Sequence, residues 1–193
     1  VIWSFPRNLR AQLRAAPVAC YRWDATVFEA SVATRNCSPS STEDAKVMAI
    51  TIRRPGPTDR AAWDLLWQGY LEFYNTDLAP GITDITWSRL LDTAEDMHCL
   101  VAEDGSGELI GIVHYLYHRV TWAVADRCYL EDLFVAEAAR GTGAGRALIE
   151  AVYTAADERG ADQVYWLTQD SNADGRRLYD RVGRLTPFIK YQR

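Results

Sequence analysis

The sequence predicts a mixed α/β (α+β) domain over residues 48–193, and three observations predict it. From Met48 onward, segments with a two-residue hydrophobic alternation interleave with segments of helical spacing. The order near the end is strand, glycine-rich turn, helix, strand. The chain has 193 residues, 48% of them hydrophobic, which is enough for one compact core. It carries no internal repeat and no sign of a second domain.

The elements follow in order. Met48-Ala49-Ile50-Thr51-Ile52-Arg53 alternates and predicts a first strand. Arg54-Pro55-Gly56-Pro57-Thr58-Asp59 is a turn. Ala62, Leu65, Leu66, Gly69, Tyr70 and Phe73 recur at helical spacing, which predicts a helix as far as Tyr74. Pro80-Gly81 marks a loop, and a second helix with Trp87, Leu90 and Leu91 is expected over 84–96. Strands are expected at 99–103, 109–118 and 128–135, the first two joined by the hairpin turn Asp104-Gly105-Ser106-Gly107. A helix over 143–159 should end at Gly160, a C-cap residue. Residues 164–168 read as a strand, 173–182 as a helix stopping at Gly183, and 188–191 as a last strand.

Composition narrows the function. The formal net charge is -5, which argues against general nucleic-acid binding. No apolar run reaches the length of a membrane-spanning helix, so no membrane role is expected. Cys20, Cys37, Cys99 and Cys128 show no C-x-x-C spacing. They read as reduced, buried thiols of a cytoplasmic protein, with no metal site. His114 and His118 share one face of their strand, but no third ligand is in view, so both read as structural.

Residues 1–47 stand apart. They hold six basic and four acidic residues, against fifteen and twenty-two in the rest, and lack a clear period. Three readings compete: a translated extension upstream of a start at Met48, a poorly ordered natural tail, and a targeting peptide, since residues 1–23 hold four Arg and no acid. None gives this extension a catalytic role.

The chemistry gathers in the second half. The strand Tyr129-Leu130-Glu131-Asp132-Leu133-Phe134-Val135 leads into Arg140-Gly141-Thr142-Gly143-Ala144-Gly145-Arg146 and then directly into a helix with Leu148, Val152, Ala155 and Ala156 on one face. Glycines let a ligand approach the backbone, and a helix N-terminus offers unpaired N–H donors and a partial positive charge. Arg140 and Arg146 add full charges, so the turn suits a pyrophosphate. It is not a P-loop, because Arg146-Ala147 stands where Lys-Ser/Thr is required. A dinucleotide-binding turn needs G-x-G-x-x-G, whereas the spacing here is G-x-G-x-G; Asp170 near the end of the next strand keeps that rival open.

Simple alternation puts Tyr129, Glu131, Leu133 and Val135 on one strand face, and Leu130, Asp132 and Phe134 on the other. A carboxylate in so apolar a strand is costly unless paired or used. Either it forms a surface salt bridge or it serves as a general base, Asp132 alternatively binding a cationic substrate. Asn172, Gly175 and Tyr179 are spaced i, i+3, i+7 and share one helix face. The plain reading is a capping Asn and a core Tyr. The functional reading is a ligand-binding amide and a phenol that gives a proton.

Arg140-x-x-Gly143-x-Gly145 resembles the R/Q-x-x-G-x-G/A signature of the GNAT acetyltransferase superfamily, and the likeness in element order spans 146 of the 193 residues. The resemblance implies a GNAT fold, with a mixed, mostly antiparallel sheet of about six to seven strands and about four helices. It implies acetyl-CoA as cosubstrate. Its pyrophosphate would lie on Arg140–Arg146, its pantetheine arm on the main chain of Leu133, Phe134 and Val135, and Asn172 would contact it. The strand around Glu131 is similar to that of spermidine/spermine N-acetyltransferases, which implies Glu131 as base. Asn172-x-x-Gly175-x-x-x-Tyr179 resembles the family's last helix, which implies Tyr179 as acid for the departing thiolate. Pro187-Phe188 replaces the commoner Gly-Phe after that helix, as in a bacterial branch. The helix pair with Trp67, Tyr70, Tyr74 and Trp87 would border the acceptor pocket, though packing in the core is the plainer job for these rings. The expected activity is N-acetyl transfer to a primary amine. A small-molecule amine is favoured, a protein amine is the other class, and a homodimer fits the resemblance. The rivals are a non-catalytic acyl-CoA-binding sensor or partner protein on the same fold, and a nucleotide-binding oxidoreductase.

Overall fold

The computed structural model describes residues 49–193. Met48 and the whole 1–47 extension lie outside the described residues. The described chain is built on one sheet in the order β1 (Thr51–Arg53), β2 (Met97–Glu103), β3 (Leu109–His118), β4 (Arg127–Val135), β5 (Gln163–Tyr165). The first three pairings are antiparallel, and β4 pairs with β5 in parallel. The predicted mixed α/β class is the one observed.

Four α-helices flank the sheet: α1 (Arg60–Phe73), α2 (Ile82–Leu91), α3 (Ala144–Arg159) and α4 (Ala173–Val182). α1 and α2 cover one face, over a core of Trp63, Leu66, Trp67, Trp87, Leu90, Cys99, Val101 and Ile112. α3 covers the other, with Ala144, Leu148, Ile149, Val152 and Ala156 against Val113, Tyr115 and Leu130. Each helix shows an apolar stripe, as one-sided burial requires. Both described cysteines, Cys99 and Cys128, are buried free thiols, and burial raises both, Cys128 to about 11.

Several boundaries and faces differ from the expectation. The buried stripe of α1 is Trp63, Leu66, Trp67 and partly buried Tyr70, while Leu65 is 72% exposed and Phe73 50% exposed. The expected set had mixed two neighbouring faces; spacing by three and four from Trp63 picks the right one. The second helix runs 82–91 rather than 84–96, and β5 stops at Tyr165 rather than at Thr168. The expected last strand at 188–191 is not formed. Residues 184–193 join no ladder, with Phe188, Ile189 and Tyr191 exposed. The sheet therefore has five strands rather than six or seven. Gly107 (φ 89°) and Gly160 (φ 75°) take the left-handed conformations expected of the hairpin turn and the helix C-cap.

One local irregularity positions the rest. His114 pairs with Asp132, but Tyr115 pairs with Leu130, so Glu131 is an extra residue in β4. The bulge shifts the alternation by one residue. Leu130 therefore lies with Leu133 and Val135 on the α3 side, whereas Phe134 lies on the α1 side, where Asp132 meets His114. This corrects the simple alternation, which grouped Leu130 with Asp132 and Phe134.

β1 is fastened by charge as well as by pairing. Arg53 donates to Glu103 at 2.7 Å and to both oxygens of Asp59, at 2.7 and 3.0 Å, and Asp59 also accepts from Gly56 N–H at 2.7 Å. The Arg53 guanidinium holds the Asp59 carboxyl below the usual carboxylate range. That stability is fully present above the unfolded-state value and is lost as pH falls through the folded one. Because Arg53 is partly open to solvent, Asp59→Asn should cost only about 1 kcal/mol at neutral pH. The difference between the variant and the parent should shrink below about pH 4. Urea unfolding at pH 7 and pH 3 measures both.

Candidate active site

Past Tyr129↔Tyr165, β4 and β5 no longer pair. β4 continues through residues 130–135 with β3 on one side and no β5 partner on the other. A strand so placed presents main-chain donors and acceptors to whatever enters the gap. Leu133 and Val135 pack toward α3, and Phe134 packs against Gly69 of α1, where a Cβ would sit 2.7 Å from the ring. The side chains of the three residues expected to meet the cosubstrate are thus engaged in the two cores. Their backbone edge is what remains for a ligand.

The glycine-rich turn closes the same gap. Gly141 (φ 82°) and Gly143 (φ 97°) are left-handed, and a Cβ on either would meet nothing within 4 Å. Backbone conformation requires these glycines, not crowding. Gly143 is the N-cap of α3 and provides no side-chain cap, and no acid stands in the helix's first turn. The N-terminal N–H groups of a 16-residue helix are therefore left for an anion. Thr142 Oγ1 donates to Ala139 O at 2.7 Å and pins the turn. Ala144 is buried, and Gly145 packs tightly, a Cβ there lying 3.2 Å from Leu178 of α4. Arg146 lies along its own helix, donating to Glu150 at 2.7 Å; Arg140 is exposed beside the turn.

Asn172 is the N-cap of α4: its Oδ1 accepts from Gly175 N–H at 3.0 Å, and its Nδ2 donates to Thr168 Oγ1 at 3.0 Å. The plainer sequence reading of Asn172 is the one observed. Tyr179 is partly buried against Trp166, ring centroids 5.6 Å apart. Burial pushes its phenol up to about 12, with Tyr74 adding to the effect. Such a phenol keeps its proton at neutral pH.

The two β4 carboxylates differ. Glu131, at the bulge, has a solvent-exposed side chain. Partial desolvation on its protein side raises its carboxyl above the ordinary range, Asp132 raises it further, and His114 and Lys190 oppose the rise. Asp132 is half-buried and lies 3.0 Å from His114 Nδ1. His114 in turn accepts a hydrogen bond from Trp63 Nε1–H at 3.0 Å.

α1 lines this region with rings. Trp67 stacks on Trp63 and on Tyr70, with centroids 5.7 and 5.3 Å away, and Tyr70 meets Tyr74 at 5.0 Å. Burial raises the Tyr70 phenol, and the nearby Asp132 carboxylate raises it further. Burial likewise raises Tyr74, with Thr168 opposing the rise and Asp132 adding to it. Tyr74 thus lies near Asp132, Thr168 and Tyr179. The resemblance implied a pocket border at Trp67, Tyr70, Tyr74 and Trp87, with core packing the plainer reading; no pattern in the sequence marked the partnership of Trp63, His114 and Asp132, or the Thr168–Asn172 contact. His114 faces Asp132 only through the bulged register, which no periodicity reveals. His118 bonds Tyr165 at 2.9 Å. Among the described residues no group of three His, Cys, Asp or Glu is gathered to hold a metal, and no helix is long and apolar enough to cross a membrane. A depression of about 350 Å³ lined by Val120, Thr121, Trp122 and Arg127 belongs to the other end of β4.

The antiparallel pairings of β1 to β4 remove the dinucleotide-fold rival, which needs a parallel sheet. Comparison with known proteins agrees. The profile of the Acetyltransferase (GNAT) family matches residues 60–183. The chain is 38% identical over 145 residues to the D-amino-acid N-acetyltransferase HPA3 of Saccharomyces cerevisiae, covering 75% of this chain and 90% of that protein. It is 32% identical over 145 residues to the uncharacterized N-acetyltransferase YhfO of Bacillus subtilis, covering 74% and 95%. Among solved structures, AAC(6')-Iy in complex with the bisubstrate analog CoA-S-monomethyl-acetylneamine superposes with a TM-score of 0.65 at 18% identity, covering 75% of this chain and 97% of that one. The fold, the family profile and these relatives agree that the chain belongs to the GNAT family and is an acetyl-CoA-dependent acetyltransferase.

Proposed function

We propose that this chain moves the acetyl group of acetyl-CoA to the primary amine of a small molecule by direct attack. The observation that carries this is the free end of β4 running into an uncapped, glycine-rich helix N-terminus. An extended amide chain can pair with residues 133–135, and a pyrophosphate can settle on the N–H groups after Gly141. Glu131 stands on that strand and Tyr179 on the helix after β5.

In this reading the amine arrives as ammonium, and Glu131, through water, takes its proton. The free amine attacks the thioester carbon. A main-chain N–H near Leu133 steadies the oxyanion. Collapse breaks the carbon–sulfur bond, and Tyr179 gives its proton to the leaving thiolate. The domain carrying this chemistry is residues 48–193, and the 1–47 extension takes no part in it. The D-amino-acid relative makes an amino-acid amine the first acceptor to try.

Tyr179→Phe should lower kcat by about 10²-fold while changing the KM for acetyl-CoA far less; thiol-release kinetics read both, and an unchanged kcat across the pH range would remove Tyr179 from the acid role. The raised Glu131 carboxyl loses its charge at a higher pH than an ordinary Glu, so kcat/KM should fall on the acid side above the usual carboxylate range. Glu131→Gln should lower kcat/KM and abolish that acid limb. A variant that keeps the limb would assign it to another group.

A further inference from the structure

Tyr179 rides on a helix that is lightly held. No residue of α4 is buried. Its first end is tied through Asn172 to Thr168, and Leu178 packs against Gly145. Its other end rests on Trp166, the first residue after β5.

Trp166 meets α4 in two places. Its ring lies against Tyr179, centroids 5.6 Å apart and planes tilted by 60°. Its edge fills the space before Gly183, where a Cβ would stand 2.5 Å from Cη2 and 2.8 Å from Cζ2. Gly183 has an extended backbone with φ -143°, which any residue adopts. Crowding by the indole, not conformation, is what calls for glycine there. The Gly183 N–H donates to Tyr179 O at 2.7 Å, so the residue that seats the indole is also bonded to the residue carrying the phenol. Tyr153 of α3 meets the same indole, with centroids 6.4 Å apart. Its hydroxyl donates to Val182 O at 2.7 Å. The indole and α3 therefore converge on residues 179–183.

These contacts also set the surroundings of the phenol. Burial is the larger cause of its raised proton affinity, and Tyr74 of α1 is the other. The Tyr153 hydroxyl is engaged with Val182. On α4 itself, Arg176 and Arg177 are engaged with Asp170 and Asp174. Apolar cover is thus what chiefly keeps the proton on Tyr179, and the Trp166 ring is part of that cover.

We propose that Trp166, seated by Gly183, is the positioning residue for Tyr179: it fixes where α4 holds the phenol and keeps water from it. This rests on the acetyltransfer reading with Tyr179 as acid, and adds the residue that places that acid. A group that must meet a departing sulfur has to be held within about 0.5 Å. A helix with no buried residue does not supply that by itself. The indole acts through Tyr179 and takes no part in the proton transfer.

Three variants and two readouts test this. Trp166→Leu should lower kcat about tenfold and leave the KM for acetyl-CoA steady. Gly183→Ala pushes on the same ring from the α4 side and should reproduce the effect with Trp166 intact. Trp166→Phe keeps a ring against Tyr179 and should restore most of kcat. In the Leu and Ala variants the basic limb of the kcat–pH profile should move to lower pH, because a wetter phenol gives up its proton sooner. The acid limb assigned to Glu131 should stay. The second readout needs no turnover. Carbon-13 NMR of ring-labelled tyrosine follows the Tyr179 phenol, identified as the signal lost in Tyr179→Phe. At about pH 11, between the ordinary value of about 10 and the raised one of about 12, the parent phenol should be mostly protonated and that of Trp166→Leu mostly ionised. Thermal unfolding identifies the folded variants; should Trp166→Leu not fold, Gly183→Ala carries both readouts. Folded variants with the parental kcat and basic limb overturn the proposal, as does a Tyr179 phenol equally protonated in variant and parent. An unchanged kcat in Tyr179→Phe overturns the acid reading alone, because the NMR readout still decides whether Trp166 governs that phenol.

Discussion

The bulge at Glu131 is the constraint on which the site depends. One extra residue in β4 turns the strand's alternation over between Leu130 and Asp132. Without it, Asp132 would point to the α3 core, where no partner waits, and the charge would be untenable. With it, Asp132 meets His114 on the α1 side, and Leu133 and Val135 still reach the α3 core. The same stretch is where β4 parts from β5 after Tyr129. One irregularity thus sets the carboxylates and lies beside the opening of the gap a ligand strand can fill.

The two cores hold that irregularity in place. On the α3 side, Leu148, Ile149 and Val152 are fully buried against β3 and β4. On the other side, the Trp63–Trp67–Tyr70 stack runs along α1 from the core to the carboxylates. Trp63 serves both: it is a fully buried packing element, and its N–H begins the chain to Asp132. Burial of an indole stabilises by a few kcal/mol, and that apolar gain offsets the cost of keeping His114 and Asp132 polar in the interior. Glycines at tight contacts, Gly69 under Phe134 and Gly145 under Leu178, let the helices come close enough to close the site.

Much of this was legible in the residues. The glycine-rich turn, the helix after it and the capped helix from Asn172 follow local rules of turns and helix ends, and they stand where the spacing put them. Faces were less legible. For β4 the period-two rule held up to the bulge and then gave the wrong partners, because an inserted residue leaves no mark on composition. For α1 the apolar residues are so many that two stripes competed, and only tertiary contact chose Trp63, Leu66 and Trp67. The tail at 188–191 shows the converse: its apolar and aromatic residues suit a strand, but a strand needs a partner as well as a composition, and none of the described strands pairs with it. The His114–Asp132 contact joins residues eighteen apart through the bulged register, so the periodicity of either strand alone cannot show it.

In the proposed reading, the gap beside residues 130–135 and the N-terminus of α3 together hold one acyl carrier. Amide hydrogen exchange with and without acetyl-CoA tests it most directly. New protection should be confined to two places, the β4 segment 133–135 and the turn 141–145, and should appear in both at one ligand concentration. Protection of only one of them, or protection centred on α2 or the β3–β4 loop, would contradict it.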